Sequence, residues 1–435
     1  MIRTSLVLVV AATLSVSGAI GLTRDGSEGT APPVAAPGFA QVVGGPDLES
    51  TIESLQVRLR KVPADAPGWA TLAVAYVEQA RVSGDASLYT RADAAVARSL
   101  EEQPQDNAPA LAADAALAAA RHDFSAALEV ADRALAVDPY FPGALAIRVD
   151  ALTELGRYDA QLDALRRADR RQPGFPIATR YAYAYELRGQ LRRAAAVLRR
   201  AATTPVAADR TFALTLLADV ERRQGRLDRA ADHLREALRA TPGSVPALAS
   251  QARLAVARGD LDAAVRRWQR VVTLLPLPEY LTELGELHLV RGESREAEAQ
   301  FDVVRATHEL LAANGVDTDL ESALFEADHG SVAAALASAR AEWDRRHSIH
   351  VADVLAWALH RSGRDREAIR HARFATRLGT AEGRLWLHRG TIEAALGDDE
   401  GAVASLRRGL TADLGQSPWQ ADRARRLLHD LGGRP

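Results

Sequence analysis

Apolar and small residues recur three and four positions apart through the stretch 280–306, which predicts two short helices. Leu284 and Gly285 fall on one face of the first predicted helix, and Ala297 falls on the facing side of the second. A tight turn at Gly292 separates the two helices. Gly285 and Ala297 are small where the helices have to approach each other closely. Neither helix can bury its apolar side alone, so we expect this hairpin to stack on copies of itself.

The hairpin recurs along the chain with a period near 34 residues. Seven residues before the turn position, and again five residues after it, eight of nine copies carry alanine or glycine. An earlier copy begins at Trp69, where Leu72, Ala73 and Tyr76 repeat the spacing of the first helix. A period held over so many copies indicates a repeat protein rather than a globular domain. The turn positions are His122, Gly156, Gly189, Gly225, Gly259, Gly292, Gly330, Gly363 and Gly397.

These positions resemble the tetratricopeptide repeat motif, with W-x2-L-A-x2-Y in the first helix and G-x-[FYL]-x2-A leading into the second. The resemblance covers residues 64–431. It implies an all-α fold, a right-handed superhelical solenoid of about ten helix-turn-helix tetratricopeptide repeats with terminal capping helices. Stretches such as LLAANGVDTDLESALFEADHG and SPWQAD also resemble exported, largely uncharacterised bacterial tetratricopeptide proteins. That narrower resemblance implies a scaffold outside the cytoplasm and no known chemistry.

The composition changes at the N-terminal end of the chain. Residues 1–22 have one arginine before a long apolar run, which is typical of a signal peptide or an uncleaved N-terminal membrane anchor. Residues 23–47 are mostly glycine, proline, alanine and small polar types, which predicts a flexible linker. An N-terminal capping helix is predicted over 48–63, the repeat solenoid over 64–414 and a C-terminal capping helix over 415–435. We therefore expect an extracytoplasmic protein, either secreted or anchored at the cell envelope.

The composition also argues against several classes of chemistry. Fifty-four basic residues face 57 acidic ones, a net charge of −3, so no bulk attraction to nucleic acid is expected. Cysteine is absent, which excludes disulfides and thiolate ligands. The common phosphate-loop, metalloprotease and hydrolase motifs do not occur. We expect no catalytic residue, no cofactor and no metal site. His347 and His350 lie three apart near Asp353, and surface or capping roles are favoured over metal binding there.

In the tetratricopeptide family the first helices line a groove, so the resemblance implies a row of groove side chains six residues before each turn position. Tyr183 and Trp357 are the predicted apolar anchors, and packing of each ring against a neighbouring repeat is the alternative. The predicted partner-binding residues, taken from this row and the row three positions later, are Asp150, Tyr183, Glu186, Asp219, Arg222, Arg253, Glu286, Trp357 and His360.

The sequence therefore predicts an extracytoplasmic scaffold that binds a peptide or helix of another protein in the groove. Nucleic acid is not an expected partner, and membrane association would come through the N-terminal segment. The alternative is a glycan- or polymer-handling accessory protein of the cell envelope, because the ring of Trp357 could stack on sugar rings.

Overall fold

The computed structural model describes residues 48–313, 316, 319–412, 415 and 418–433, and within these residues every regular element is one of 22 helices. The predicted signal or anchor at 1–22 and the predicted linker at 23–47 lie outside this part of the chain. The helices are α1 (Leu48–Lys61), α2 (Ala66–Ser83), α3 (Leu88–Glu102), α4 (Ala108–Ala120), α5 (Phe124–Val137), α6 (Pro142–Glu154), α7 (Tyr158–Arg171), α8 (Phe175–Glu186), α9 (Leu191–Ala201), α10 (Ala207–Arg223), α11 (Leu227–Ala240), α12 (Val245–Ala257), α13 (Leu261–Leu274), α14 (Pro278–Val290), α15 (Ser294–Ala313), α16 (Asp319–His329), α17 (Val332–Arg345), α18 (Ile349–Arg361), α19 (Asp365–Ala375), α20 (Gly383–Ala395), α21 (Asp399–Ala412) and α22 (Pro418–Asp430).

Consecutive helices form ten hairpins, from α2–α3 to α20–α21, and each first helix is followed by its partner after a short turn. Alanine is frequent among the fully buried residues, which lets the helices lie close together. The α6–α7 hairpin is also joined by a hydrogen bond from the Gln161 amide to the Thr153 hydroxyl at 2.6 Å. The predicted all-α fold of about ten helix-turn-helix repeats is confirmed.

The chain divides into two compact units. Unit 1 holds the residues up to Thr153 together with Tyr158–Arg180, and unit 2 holds Glu154–Arg157 together with Tyr181–Pro435. In unit 1, α1 packs on α2 and buries Leu55, which extends the apolar core beyond the first hairpin. The buried apolar residues of unit 2 fall into several clusters, each made by helices of successive repeats, as expected for a repeat that contacts its neighbours.

The turn residues adopt the left-handed backbone conformation that glycine tolerates best. The φ angle is +73° at Gly225 and +77° at Gly292. His122 takes the same conformation at +66°, although it carries a side chain. Gly330 is the exception, because its φ is not positive and the Glu326 carboxylate accepts the Ser331 N–H at 2.6 Å. The period of the turn positions therefore reflects a backbone requirement that eight of the nine predicted positions meet.

Small residues occupy the points of closest helix approach, as predicted for Gly285. A Cβ atom on Gly285 would lie 2.4 Å from the ring of Phe301, which packs in the same hairpin. Gly390 is equivalent in its own hairpin, where a Cβ would lie 2.7 Å from Leu406. These glycines let the ring and the leucine fill the space between paired helices.

The last helix, α22, packs on α20 and α21 and also on α14, eight helices earlier in the same unit. Its apolar side buries Ala421, Ala424 and Leu428. No helix in the described ranges combines the length and apolar character that crossing a membrane requires.

Candidate functional site

Side chains on the first helices connect each repeat to the next at a fixed register. We call the residue six before a turn residue position −6, and the residue nine before it position −9. In four interfaces a position −6 side chain contacts position −9 of the following repeat. Three of these contacts are polar and one is a stack of rings, and all four join consecutive first helices. The pairs are Asp150 with Arg180, Asp219 with Ser250, Arg253 with Glu283 and Trp357 with His388.

The geometry of these pairs is close. In unit 1, Arg180 donates from Nη2 to Asp150 Oδ2 at 2.5 Å and from Nε to Oδ1 at 2.8 Å, a bidentate arrangement. In unit 2, Arg253 Nε lies 3.0 Å from Glu283 Oε2. The Ser250 hydroxyl donates to Asp219 at 2.8 Å. Charge-assisted hydrogen bonds of this kind fix the register of one repeat on the next.

The other predicted groove residues also have partners inside the chain. Their partners lie on the following first helix, one turn away, or just beyond the hairpin turn. Each contact is a hydrogen bond or ion pair, so these polar atoms are already engaged. The pairs are Glu186 with Arg223, Arg222 with Asp219 at 3.4 Å, Glu286 with His329 at 3.2 Å and His360 with Asp365 at 2.6 Å. Partner binding by these residues stays a prediction, and their observed contact is with neighbouring residues of the chain.

The two predicted aromatic anchors differ sharply in exposure. Trp357 is only 2% exposed, because its ring stacks on His388 at 4.1 Å and on His360 at 5.0 Å. Its indole N–H donates to Asp328 at 2.8 Å. This ring is therefore packed against the neighbouring repeat and cannot stack on a sugar. Tyr183 remains 37% exposed and is the accessible aromatic residue of the predicted set.

An arginine-lined cleft lies at the end of α8, beside the turn that contains Gly189. Its volume is about 610 Å³, and a neighbouring cavity of about 370 Å³ shares Gly189 and includes Arg223. Burial lowers the pKa of Arg223, and the negative charges of Glu382 and ionised Tyr183 oppose that change. The sequence pattern did not predict this cleft. The cleft is lined by Gly189, Gln190, Leu191, Arg192, Arg193, Gln224 and Arg226.

The histidines considered as a metal pair do not come together as ligands. His347 packs edge-on against Trp343 at 4.3 Å, whereas His350 Nε2 lies 2.9 Å from Glu382 Oε1. Burial opposes protonation of His350, but the charge of Glu382 raises its pKa. His350 in turn holds the pKa of Glu382 at about 2 against the effect of burial. This pair is an ion pair between α18 and the start of α20.

The first-helix side of unit 2 is partly covered by the chain itself. Gln420 on α22 donates to Asp328 at 2.8 Å, and Trp419 lies 5.0 Å from the ring of His329. Gly415 approaches α12 so closely that a Cβ would lie 2.3 Å from the Arg253 carbonyl oxygen. The C-terminal segment predicted as a cap therefore also lies along first helices of earlier repeats.

The buried carboxyl group of Glu279, on the first helix α14 of unit 2, makes the stability of the protein depend on pH. Burial raises the pKa of Glu279 to about 7, with Glu283 and Glu321 adding to the effect and Arg253 opposing it. The folded protein then holds a proton that the unfolded chain releases near pH 4.5. Protonated Glu279 therefore contributes to the free energy of unfolding at low pH, and this contribution is lost as the pH rises through about 7.

We expect the substitution Glu279→Gln to remove this loss. Its glutamine resembles the protonated carboxyl, so the variant should match the parent near pH 5 and exceed it in free energy of unfolding at pH 8. Urea unfolding of both proteins at pH 5, 6, 7 and 8 measures the difference. A difference that does not change with pH would contradict the raised pKa.

Models of the family described as tetratricopeptide repeat match residues 111–176, 211–254 and 250–312. The stacked hairpins with left-handed glycine turns define an all-α helical repeat protein, the class in which extended surfaces bind other proteins. These matches identify tetratricopeptide repeats within the chain, and such repeats are typical of protein–protein interaction scaffolds. No curated protein matches it.

Several solved structures are similar to this chain. Human IFIT1, in a dimer with PPP-AAAA, is 16% identical, with 86% of this chain and 88% of that chain covered and a TM-score of 0.45. A tetratricopeptide repeat protein from Parabacteroides merdae is 18% identical, with coverage of 60% and 99% and a TM-score of 0.34. A tetratricopeptide protein from Thermus thermophilus is 25% identical, with coverage of 39% and 90% and a TM-score of 0.34.

Proposed function

We propose that this protein is an extracytoplasmic scaffold that holds a segment of a partner protein on unit 2, at the end of α8. The observation that carries the proposal is the exposed ring of Tyr183 on α8, in the hairpin whose turn at Gly189 forms part of a cleft lined by arginine side chains. Tyrosine and arginine are the residue types that most often dominate binding energy at interfaces. The apolar run at 1–22 supports export of the protein.

The chemistry of this surface favours an acidic peptide with an apolar or aromatic side chain. Arg192 and Arg226 line the cleft, and guanidinium groups bind carboxylates in a bidentate manner. Tyr183 supplies a rigid anchor that loses little conformational entropy on binding. Most other polar groups of the first helices are engaged with the next repeat, so this end is the accessible part of the predicted groove.

Site-specific photocrosslinking in the native cell tests the location of the binding surface. A photoreactive residue at position 183 should trap a partner, whereas one at Tyr140 should not. Tyr140 is a matched control because it is also an exposed tyrosine, 60% accessible, and lies in unit 1. Equal trapping at both positions, or at position 140 alone, would contradict the proposal.

With the trapped partner purified, Tyr183→Ala should weaken binding by about tenfold or more, the loss expected for a central aromatic anchor. Tyr140→Ala should leave binding unchanged. Arg192→Ala should reduce the dependence of affinity on salt, because it removes a charge from the cleft. Unchanged affinity of Tyr183→Ala, with unchanged helix content by circular dichroism, would place the binding surface elsewhere.

Fusion of residues 1–47 to a reporter that is active only after export tests the location of the protein.

A further inference from the structure

Two carboxylates and one imidazole meet between α14 and α16 in unit 2. One ligand atom from each of Glu286, Asp328 and His329 lies within 4.8 Å of the other two. All three side chains are largely buried, with exposures of 11%, 4% and 4%. We propose that these residues bind a divalent first-row transition-metal ion, Zn²⁺ or Mn²⁺. The proposal does not depend on the partner-binding function proposed above.

The spacing of the atoms fits a shared ion. Ligand atoms about 2.0–2.2 Å from one metal ion lie roughly 3–3.6 Å from each other in tetrahedral or octahedral geometry. Glu286 Oε1 and His329 Nε2 are already 3.2 Å apart. The Asp328 carboxylate lies within 4.8 Å of both atoms, and a small side-chain rotation would complete the set. Water would complete the coordination. The imidazole ligand favours zinc over calcium or magnesium, and the two carboxylates also suit manganese.

Neighbouring groups orient the ligands in the way that metal sites require. Trp357 Nε1 donates to Asp328 Oδ1 and Gln420 Nε2 donates to Oδ2, both at 2.8 Å. Oδ1 also accepts a hydrogen bond from Arg361 Nη1 at 3.4 Å, so Oδ2 is the oxygen that keeps capacity for an ion. The His329 ring is stacked on Phe301 at 4.3 Å, which fixes its plane. Outer contacts of this type commonly tune metal affinity.

The interface between the α14–α15 repeat and the α16–α17 repeat differs in charge balance from the other interfaces between repeats. The register described above places Glu286, at position −6, opposite Glu321, at position −9 of the next repeat, where other interfaces bring together unlike or neutral groups. Among the described residues, Glu321 Oε2 is buried without a hydrogen-bond partner. Arg361 Nη1 lies 3.4 Å from Asp328 and offsets part of its charge. The charge of Arg346, which is also paired with Glu154 and Glu342, acts on Glu321. A divalent cation supplies the missing positive charge.

Equilibrium dialysis of the full chain, stripped with a chelator, against Zn²⁺, Mn²⁺ or Mg²⁺ tests the site. We expect one equivalent of Zn²⁺ or Mn²⁺ to be retained at micromolar concentration, no Mg²⁺, and a rise in the thermal midpoint with the bound ion. Cobalt(II) substitution should give visible absorption bands that report the imidazole and carboxylate ligands.

His329→Gln and Asp328→Asn should each lower the affinity for the ion by at least tenfold and abolish the cobalt bands. Glu286→Gln is the further variant if either protein is poorly folded by circular dichroism. The matched control is His371→Gln, which alters a half-buried histidine of α19 that packs on the ring of Trp343 at 4.9 Å, and should bind like the parent. Failure of the parent to retain a stoichiometric ion would overturn the proposal. Equal retention by parent and folded His329→Gln would overturn it as well.

Discussion

Replacing His388 with alanine should lower the free energy of unfolding by about 3–5 kcal/mol, the cost of leaving a buried charge without its partner. His388 is fully buried, and its Nδ1 lies 2.9 Å from Asp353 Oδ1, a carboxylate with 1% exposure. Arg384 Nε is farther away, 3.5 Å from Oδ2 of the same carboxylate. The variant also loses the stack of the imidazole on Trp357. Urea unfolding followed by circular dichroism measures the change.

The matched control for this prediction is His429→Ala, because His429 lies exposed near the end of α22. Substitutions at such surface positions usually change stability by less than about 0.5 kcal/mol. The double variant His388→Ala with Asp353→Ala distinguishes the stability lost through the unpaired carboxylate from the stability lost through the cavity. It should recover part of the stability, since both members of the buried pair are gone. A loss below about 1 kcal/mol in the single variant would show that Asp353 does not rely on His388 for its charge balance.

Gly189→Ala should destabilise unit 2 by more than the same substitution at Gly225, a turn with open space around it. Both Gly189 and Gly225 hold positive φ angles, +66° and +73°, which cost about 1–2 kcal/mol for alanine. A Cβ on Gly189 would in addition lie 2.3 Å from the carbonyl oxygen of Gly379, in the turn before α20. A Cβ on Gly225 meets nothing within 4 Å. The backbone carbonyl cannot rotate away as a side chain can, so we expect a further loss of about 1–3 kcal/mol.

Urea unfolding of Gly189→Ala and Gly225→Ala isolates the cost of the contact with the Gly379 carbonyl oxygen, because the backbone strain is common to both variants. Amide hydrogen exchange should also accelerate at 376–383 in Gly189→Ala and stay unchanged in Gly225→Ala. Equal losses in the two variants would mean that the contact between the two turns in unit 2 contributes no stability.

The fold could be predicted from the sequence because its determinants are local. A left-handed turn residue such as Gly292 and a small residue such as Gly285 recur with the period of the hairpin, and each is required by the backbone or by one neighbouring helix. The exceptions were also local. His122 takes the glycine conformation, whereas at Gly330 the Glu326 side chain satisfies the following backbone N–H.

The site was less predictable, because the sequence interpretation considered each repeat by itself. It selected position −6 as a row facing a partner, although position −9 of the next repeat carries the complementary group. Asp150 and Arg180, or Arg253 and Glu283, show that signal as opposite charges about one period apart. The contact of Gln420 with Asp328 had no such signal, since 92 residues separate the two.

The pairing of position −6 with position −9 limits how this chain can be recombined. Joining the α14–α15 repeat directly behind the α6–α7 repeat would set Asp150 against Glu283, two carboxylates in place of a carboxylate and a guanidinium. The hairpins share one backbone conformation, but the charges at positions −6 and −9 match the neighbouring repeat and would repel a repeat with the same charge. Duplicating or shuffling modules within this chain therefore requires a compensating change wherever a new junction brings like charges together.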